Sequence, residues 1–245
     1  MEGPNAPTRE PAGSGARPAT AGAARRPRRL RRAVAIFLCF ALAIILFVCY
    51  IGVFGGNVHA IQPGRAYRSA TLTGFSYNSL SARLFGNDLD SVIRRDHIGT
   101  VVCLRSGSAS DDWYREELAI SRRDGADHRD IPFSARAMPS PGTLVKLLDT
   151  FDHARYPILL HCQAGADRTG LASTLYATLY EHEPLDRAES EELTWRYGHF
   201  PVGRTRAMDD FFSLYRRDAN GMDLRTWILT RYPKLFRQQS GAAPE

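Results

Sequence analysis

The chain has 245 residues, 44% of them hydrophobic, and a formal charge of +6, enough for one domain with its own core plus appendages. The charge is local: the first 58 residues hold eight Arg against two acids, and the remainder balances 24 basic against 24 acidic residues. A neutral domain argues against binding a phosphate backbone, so no nucleic-acid partner is expected.

Residues 1–32 begin with Pro, Ala, Gly, Ser and Thr, which offer little to bury, and end on "RRPRRLRR" with six Arg. They are expected to form a disordered basic arm. Residues 33–54 follow, 22 residues without a charge, the length a helix needs to cross a hydrocarbon layer of about 30 Å. A cleaved signal peptide would carry a shorter apolar stretch of about 7 to 15 residues. The expectation is a retained transmembrane helix over 33–54 that attaches the protein to a membrane. The Arg cluster before it places the N-terminus in the cytoplasm and the domain outside, in a bacterium the periplasm.

From residue 57 to 235 the pattern is that of an alternating α/β domain, with 236–245 as a flexible tail. Short strands are expected around "VHAI" and "AYRS", separated by a Pro-Gly turn. "SYNSLSARLF" and "NDLDSVIRRDHI" read as helices. "TVVCL", residues 100–104, is an apolar β-branched run suited to a buried central strand. "SDDWYREELAISRRDG" reads as an amphipathic helix capped by Ser110, and "HRDIPF" as a short strand. Ser140 and Pro141 open the next helix, and "PILLH" is a second buried strand. Helices follow over 169–181, 185–196, 205–218 and 223–232. The fold class is therefore α/β, a central and mostly parallel sheet flanked by helices.

In such sheets ligands bind beyond the carboxyl ends of the strands, where Cys162 stands just after "PILLH". The loop Gln163, Ala164, Gly165, Ala166 then leads into a helix near Arg168. Backbone N–H groups of such a loop can converge on an anion at a helix N-terminus. Gly165 permits the tight backbone, and Arg168 adds a planar fork for two oxygens of a tetrahedral oxyanion. The same positive field favours the thiolate of Cys162. A thiolate at the floor of a phosphate cradle can attack phosphorus and form a phosphocysteine that water hydrolyses. Thr169 can donate its hydroxyl to the sulfur as it leaves, and His161 orients the loop. Arg105, ending "VVCLR" at the same sheet edge, is a further substrate-binding candidate. Cys103 reads as a small buried residue, with a disulfide to Cys162 as the sharper alternative. This chemistry calls for no metal and no cofactor.

"HCQAGADRTG" resembles the His-Cys-x5-Arg-Thr signature loop of the cysteine-dependent protein tyrosine and dual-specificity phosphatases. "PGRAYRSATLT", "IGTVVCLR" and "WRYGHF" fall in the order seen in a bacterial membrane-anchored, dual-specificity-like subgroup. The resemblance implies a compact phosphatase fold and two candidates for the general acid. Many dual-specificity enzymes carry an Asp some thirty residues before the Cys, and Asp130 stands 32 residues ahead. Enzymes resembling myotubularins carry an Asp inside the loop, as Asp167 is here, and Asp167 is the favoured one. Relatives acting on heavily phosphorylated inositides tend to have Lys in the loop, where this chain has Gln163 and Ala166. The expected substrate is a phosphorylated protein, above all at tyrosine, or a small phosphomonoester. The alternatives are a lipid or inositol monophosphate, a non-catalytic phosphate-binding module, and a rhodanese-like sulfurtransferase, the last disfavoured by Thr169-Gly170.

Overall fold

The computed structural model describes residues 26–53 and 55–240, in two compact units divided between Phe47 and Val48. The expected arm over 1–32 lies, up to residue 25, outside the described residues. The first unit holds most of helix α1, Arg26–Val53. Among the described residues no helix is long and apolar enough to cross a membrane. This corrects the expectation of a transmembrane helix over 33–54, and with it the single-pass attachment and the periplasmic placement that rested on it.

The second unit is built on a five-stranded sheet of order β1-β2-β5-β3-β4, with β1 His59–Gln62, β2 Ala66–Ser69, β3 Thr100–Cys103, β4 Asp127–Asp130 and β5 Ile158–His161. Only β1 runs antiparallel, paired with β2; β2, β5, β3 and β4 are parallel. The mostly parallel α/β sheet is thus as expected. Both central strands bury both faces, as their unbroken apolar runs require. Ile158 and Leu160 of β5 join Val102 in one core, and Leu159 joins Val101 in the other. The register sets Ser69, His161 and Cys103 side by side, so the carboxyl ends of three strands open at one level.

On the larger core's side, α5 (Pro141–His153) buries Leu144, Leu147, Leu148 and Phe151, a helical stripe, and is capped by Ser140 accepting from the Thr143 N–H. Helix α6 (Asp167–Tyr180) is buried through most of its length, covered by α7 (Leu185–Glu192), α8 (Ala207–Asp218) and a C-terminal helical stretch. That stretch comprises Leu224–Thr226, a π-helical turn Trp227–Arg231 and Tyr232–Ser240. On the opposite face lie α2 (Tyr77–Leu84), α3 (Leu89–Arg95) and α4 (Asp112–Arg123). The cap of α4 is Asp111 rather than the expected Ser110; the Asp111 carboxylate instead accepts from the N–H and hydroxyl of Ser108.

Candidate active site

Cys162 leaves the end of β5, and five residues later Asp167 opens α6. The intervening loop is held by its carbonyls. Thr71 donates its hydroxyl to the Cys162 oxygen at 3.0 Å, and Asn78 its amide to the Gln163 oxygen at 3.0 Å. Asn57 donates to the Ala164 oxygen at 3.0 Å, and Arg68 to the Gly165 oxygen at 2.8 Å. Four successive carbonyls are thus bound, and the N–H groups of Gly165 and Thr169 turn toward the Cys162 sulfur, as the N–H groups of an anion nest do toward its centre. Gly165 has φ +70°, and a Cβ there would stand 2.7 Å from the backbone of Ser69 and Ala70. Only glycine meets both conditions.

Arg68 on β2 is wholly buried. Besides Gly165 it binds the Glu192 carboxylate at 2.7 Å and the Glu192 carbonyl at 2.5 Å, and it lies over the Tyr197 ring at 3.9 Å. Burial pulls the Arg68 pKa down and pushes that of Glu192 up, each against the attraction of its partner. Such a pair costs desolvation; what it supplies is a fixed anchor for the loop.

Cys162 is only 2% exposed. Burial pushes its thiol pKa up, but the Arg168 charge, the Thr169 hydroxyl and the N–H groups of Thr169 and Gly165 outweigh it, leaving the thiol below its ordinary value. Arg168 is steadied by the carbonyls of Leu104 and Phe133, both at 3.3 Å. Its Nε is buried without a hydrogen-bond acceptor among the described residues. A cleft of about 710 Å³ opens above this group, lined by Cys162, Asp167, Arg168, Phe133, Arg136 and Thr205 among others.

The sequence-predicted residues divide. Gln163 and Ala164 line the cleft, Gly165 and Ala166 are buried and do not line it, and Asp167 reaches it from the first turn of α6. Asp167 Oδ1 lies 2.7 Å from His199 Nδ1, and His199 Nε2 lies 3.0 Å from Asp209. Asp130 is not among the lining residues. It ends the edge strand β4, accepts from the Tyr114 hydroxyl at 2.6 Å and faces His128 at 3.6 Å. Arg105 also stands back from the cleft, stacked on Trp113 at 3.8 Å and donating to Thr71 at 3.1 Å. It braces the residue that holds the Cys162 carbonyl.

His161 lies beneath the loop, 3.1 Å from Glu117, which also binds His128 at 2.8 Å. Burial alone would lower the His161 pKa, but the Glu117 charge drives it well above the ordinary value. Burial would likewise raise Glu117, yet His161 and His128 bring it down to about 2. Cys103 donates to the Arg105 carbonyl and has a free thiol. It shares the face of Val101 and Leu159, whereas Cys162 follows Ile158 and Leu160 on the other, so the disulfide alternative fails on strand parity. Cys103, Glu117 and His161 bring three metal-ligand atoms within 4.8 Å, as do Cys103, His128 and Asp130. The Glu117 to His contacts of 2.8 and 3.1 Å are closer than the roughly 3.3 Å between two ligands of a tetrahedral zinc, and fit hydrogen bonds instead.

The sequence alone does not single out Asn57, Thr71, Asn78, Glu192, Arg68 or His199 as parts of the site. "YRSA" and "RYGH" held the last two, but nothing in their spacing discloses a contact with the loop.

Residues 126–186, about a quarter of the chain, match the model of a family described as tyrosine phosphatase family. No curated protein matches the sequence. Among solved structures, the core catalytic domain of the PP-IP phosphatase SIW14 from S. cerevisiae, in complex with citrate, is 20% identical over 77% of this chain and 94% of that one, with a TM-score of 0.48. TpbA of P. aeruginosa is 21% identical over 69% of this chain and 87% of that one, with a TM-score of 0.45. The family match runs from β4 through α6 to the start of α7 and so takes in the whole loop from Cys162 to Arg168; over that stretch the chain is similar to the tyrosine phosphatase family.

Proposed function

We propose that residues 57–235 form a phosphatase domain that removes single phosphoryl groups from phosphotyrosine-like monoesters through a phosphocysteine on Cys162. The observation that carries this reading is the loop held by its carbonyls between a thiol of lowered pKa and Arg168. Three equatorial oxygens of a transferring phosphoryl group would meet the loop's N–H groups and the Arg168 fork, where charge builds up in the transition state. The Cys162 thiolate attacks phosphorus in line, the P–O bond to the leaving group breaks, and the leaving oxygen takes a proton. Water then attacks the phosphocysteine, the P–S bond breaks, and the proton returns to the enzyme. Asp167 is the acid in the first step and the base in the second, since of the two candidate carboxyls it alone lines the cleft. Thr169 donates to the departing sulfur.

The substrate class follows from the walls. Phe133 gives an aromatic leaving group an apolar surface, and the loop has no lysine for a second phosphate. The full chain is expected to hydrolyse p-nitrophenyl phosphate, and to cleave tyrosyl phosphopeptides faster than polyphosphoinositides in a phosphate-release assay. Cys162→Ser should lower turnover at least about 1,000-fold. Faster release from the polyphosphoinositides would reject the substrate assignment, and undiminished turnover by the Ser variant the mechanism.

A further inference from the structure

His199 joins two carboxylates that belong to different helices. It follows Gly198, which has φ +86° at the end of a 3₁₀ turn, and its ring is almost wholly buried. The charged groups that face the ring are Asp167 from α6 and Asp209 from α8, at 2.7 and 3.0 Å. A neutral imidazole has one N–H and one lone pair. With both ring nitrogens against carboxylate oxygens, that lone pair would face an oxygen lone pair inside the protein. The arrangement therefore requires one more proton, and the shorter contact, between Nδ1 and Asp167 Oδ1, can hold it on either atom. Burial tends to lower the ring's pKa, but the two carboxylates raise it to about 9, so the proton is retained at neutral pH.

We propose that His199 is a positioning residue of the reaction: anchored by Asp209, it fixes the Asp167 carboxyl at the cleft and holds in reserve the proton that Asp167 passes to the leaving oxygen. The proposal rests on the reading of Asp167 as the acid. In the first step the P–O bond breaks and the proton from the Asp167–His199 contact ends on the leaving oxygen, leaving a neutral ring bonded to Asp209. In the second step the attacking water gives up one proton as the P–S bond breaks, and that proton refills the contact. No other reactant is required.

A proton donor matters most when the leaving group is poor. The test is kcat and its pH profile for His199→Ala, Asp209→Asn, Asp167→Asn and the His199→Ala/Asp167→Asn double variant. Each is measured with p-nitrophenyl phosphate, a good leaving group, and with phenyl phosphate, a poorer one. The expected result for His199→Ala is a loss of about 10- to 100-fold on phenyl phosphate, a much smaller loss on p-nitrophenyl phosphate, and a displaced basic limb. Asp209→Asn, which leaves the ring in place, should move both readouts the same way but less. In the Asp167→Asn background, His199→Ala should change neither. Equal losses on both substrates in both backgrounds would make His199 merely structural and overturn the proposal. If Asp167→Asn itself left the leaving-group dependence of the wild type intact, the assignment of the acid would fall first.

Discussion

Cys162 and Arg168 stand where a backbone changes from strand to helix, and each is tuned by what the turn exposes. Burial alone would raise the pKa of the Cys162 thiol; the Arg168 charge, the Thr169 hydroxyl and the N–H groups at the helix start outweigh it and bring it below the ordinary value. Arg168→Lys keeps a charge but loses the planar fork. It is expected to lower kcat about 100-fold or more while the ultraviolet absorbance of the thiolate still titrates below the ordinary thiol range. An unchanged kcat would show that bidentate binding is not needed. Gly165→Ala places a methyl 2.7 Å from the Ser69 carbonyl at a positive φ. Strain of about 1 to 3 kcal/mol is expected, read as a lowered urea midpoint together with a loss of turnover. These residues were legible in the sequence because their chemistry is local: seven positions in a row, with the glycine where a turn demands it.

The elements that hold the loop were legible one by one, but their contacts were not. Ile158 and Leu160 facing one core and Leu159 the other is the outcome that an unbroken apolar run foretells. The helix stripe Leu144, Leu147, Leu148, Phe151 and its Ser140 cap followed equally directly. The four side chains that bind the loop's carbonyls come from positions 57, 68, 71 and 78, about a hundred residues away. Contacts between distant segments leave no periodicity behind. The same limit let Asp130 count as an acid by its spacing alone, until the edge strand turned it toward Tyr114. Arg68 is the element-scale prediction. Arg68→Met leaves the largely buried Glu192 carboxylate without its partner, and stability is expected to fall by about 3 to 5 kcal/mol. A urea unfolding curve superimposable on that of the wild type would contradict the role of the pair.

For the molecule as a whole, ionic pairs behind the loop set a window of pH. Glu117 is depressed from 4.5 to about 2, so its contribution is present above pH 4.5 and is lost as pH falls through about 2. His199 is raised from 6.5 to about 9, so its contribution is full below pH 6.5 and is lost as pH rises through about 9. Thermal unfolding should therefore show its highest Tm between about pH 4.5 and 6.5, with a decline toward pH 9. That decline should flatten in His199→Gln, and an identical decline in the variant would remove His199 as its cause. The proposed reaction turns on one covalent event, and the most direct test is to look for it. The full chain is mixed with p-nitrophenyl phosphate, quenched rapidly in acid, digested and analysed by mass spectrometry. One added phosphoryl group is expected on the peptide holding Cys162, absent in Cys162→Ser; turnover with no such adduct, or with the phosphoryl group on another residue, would contradict the phosphocysteine mechanism.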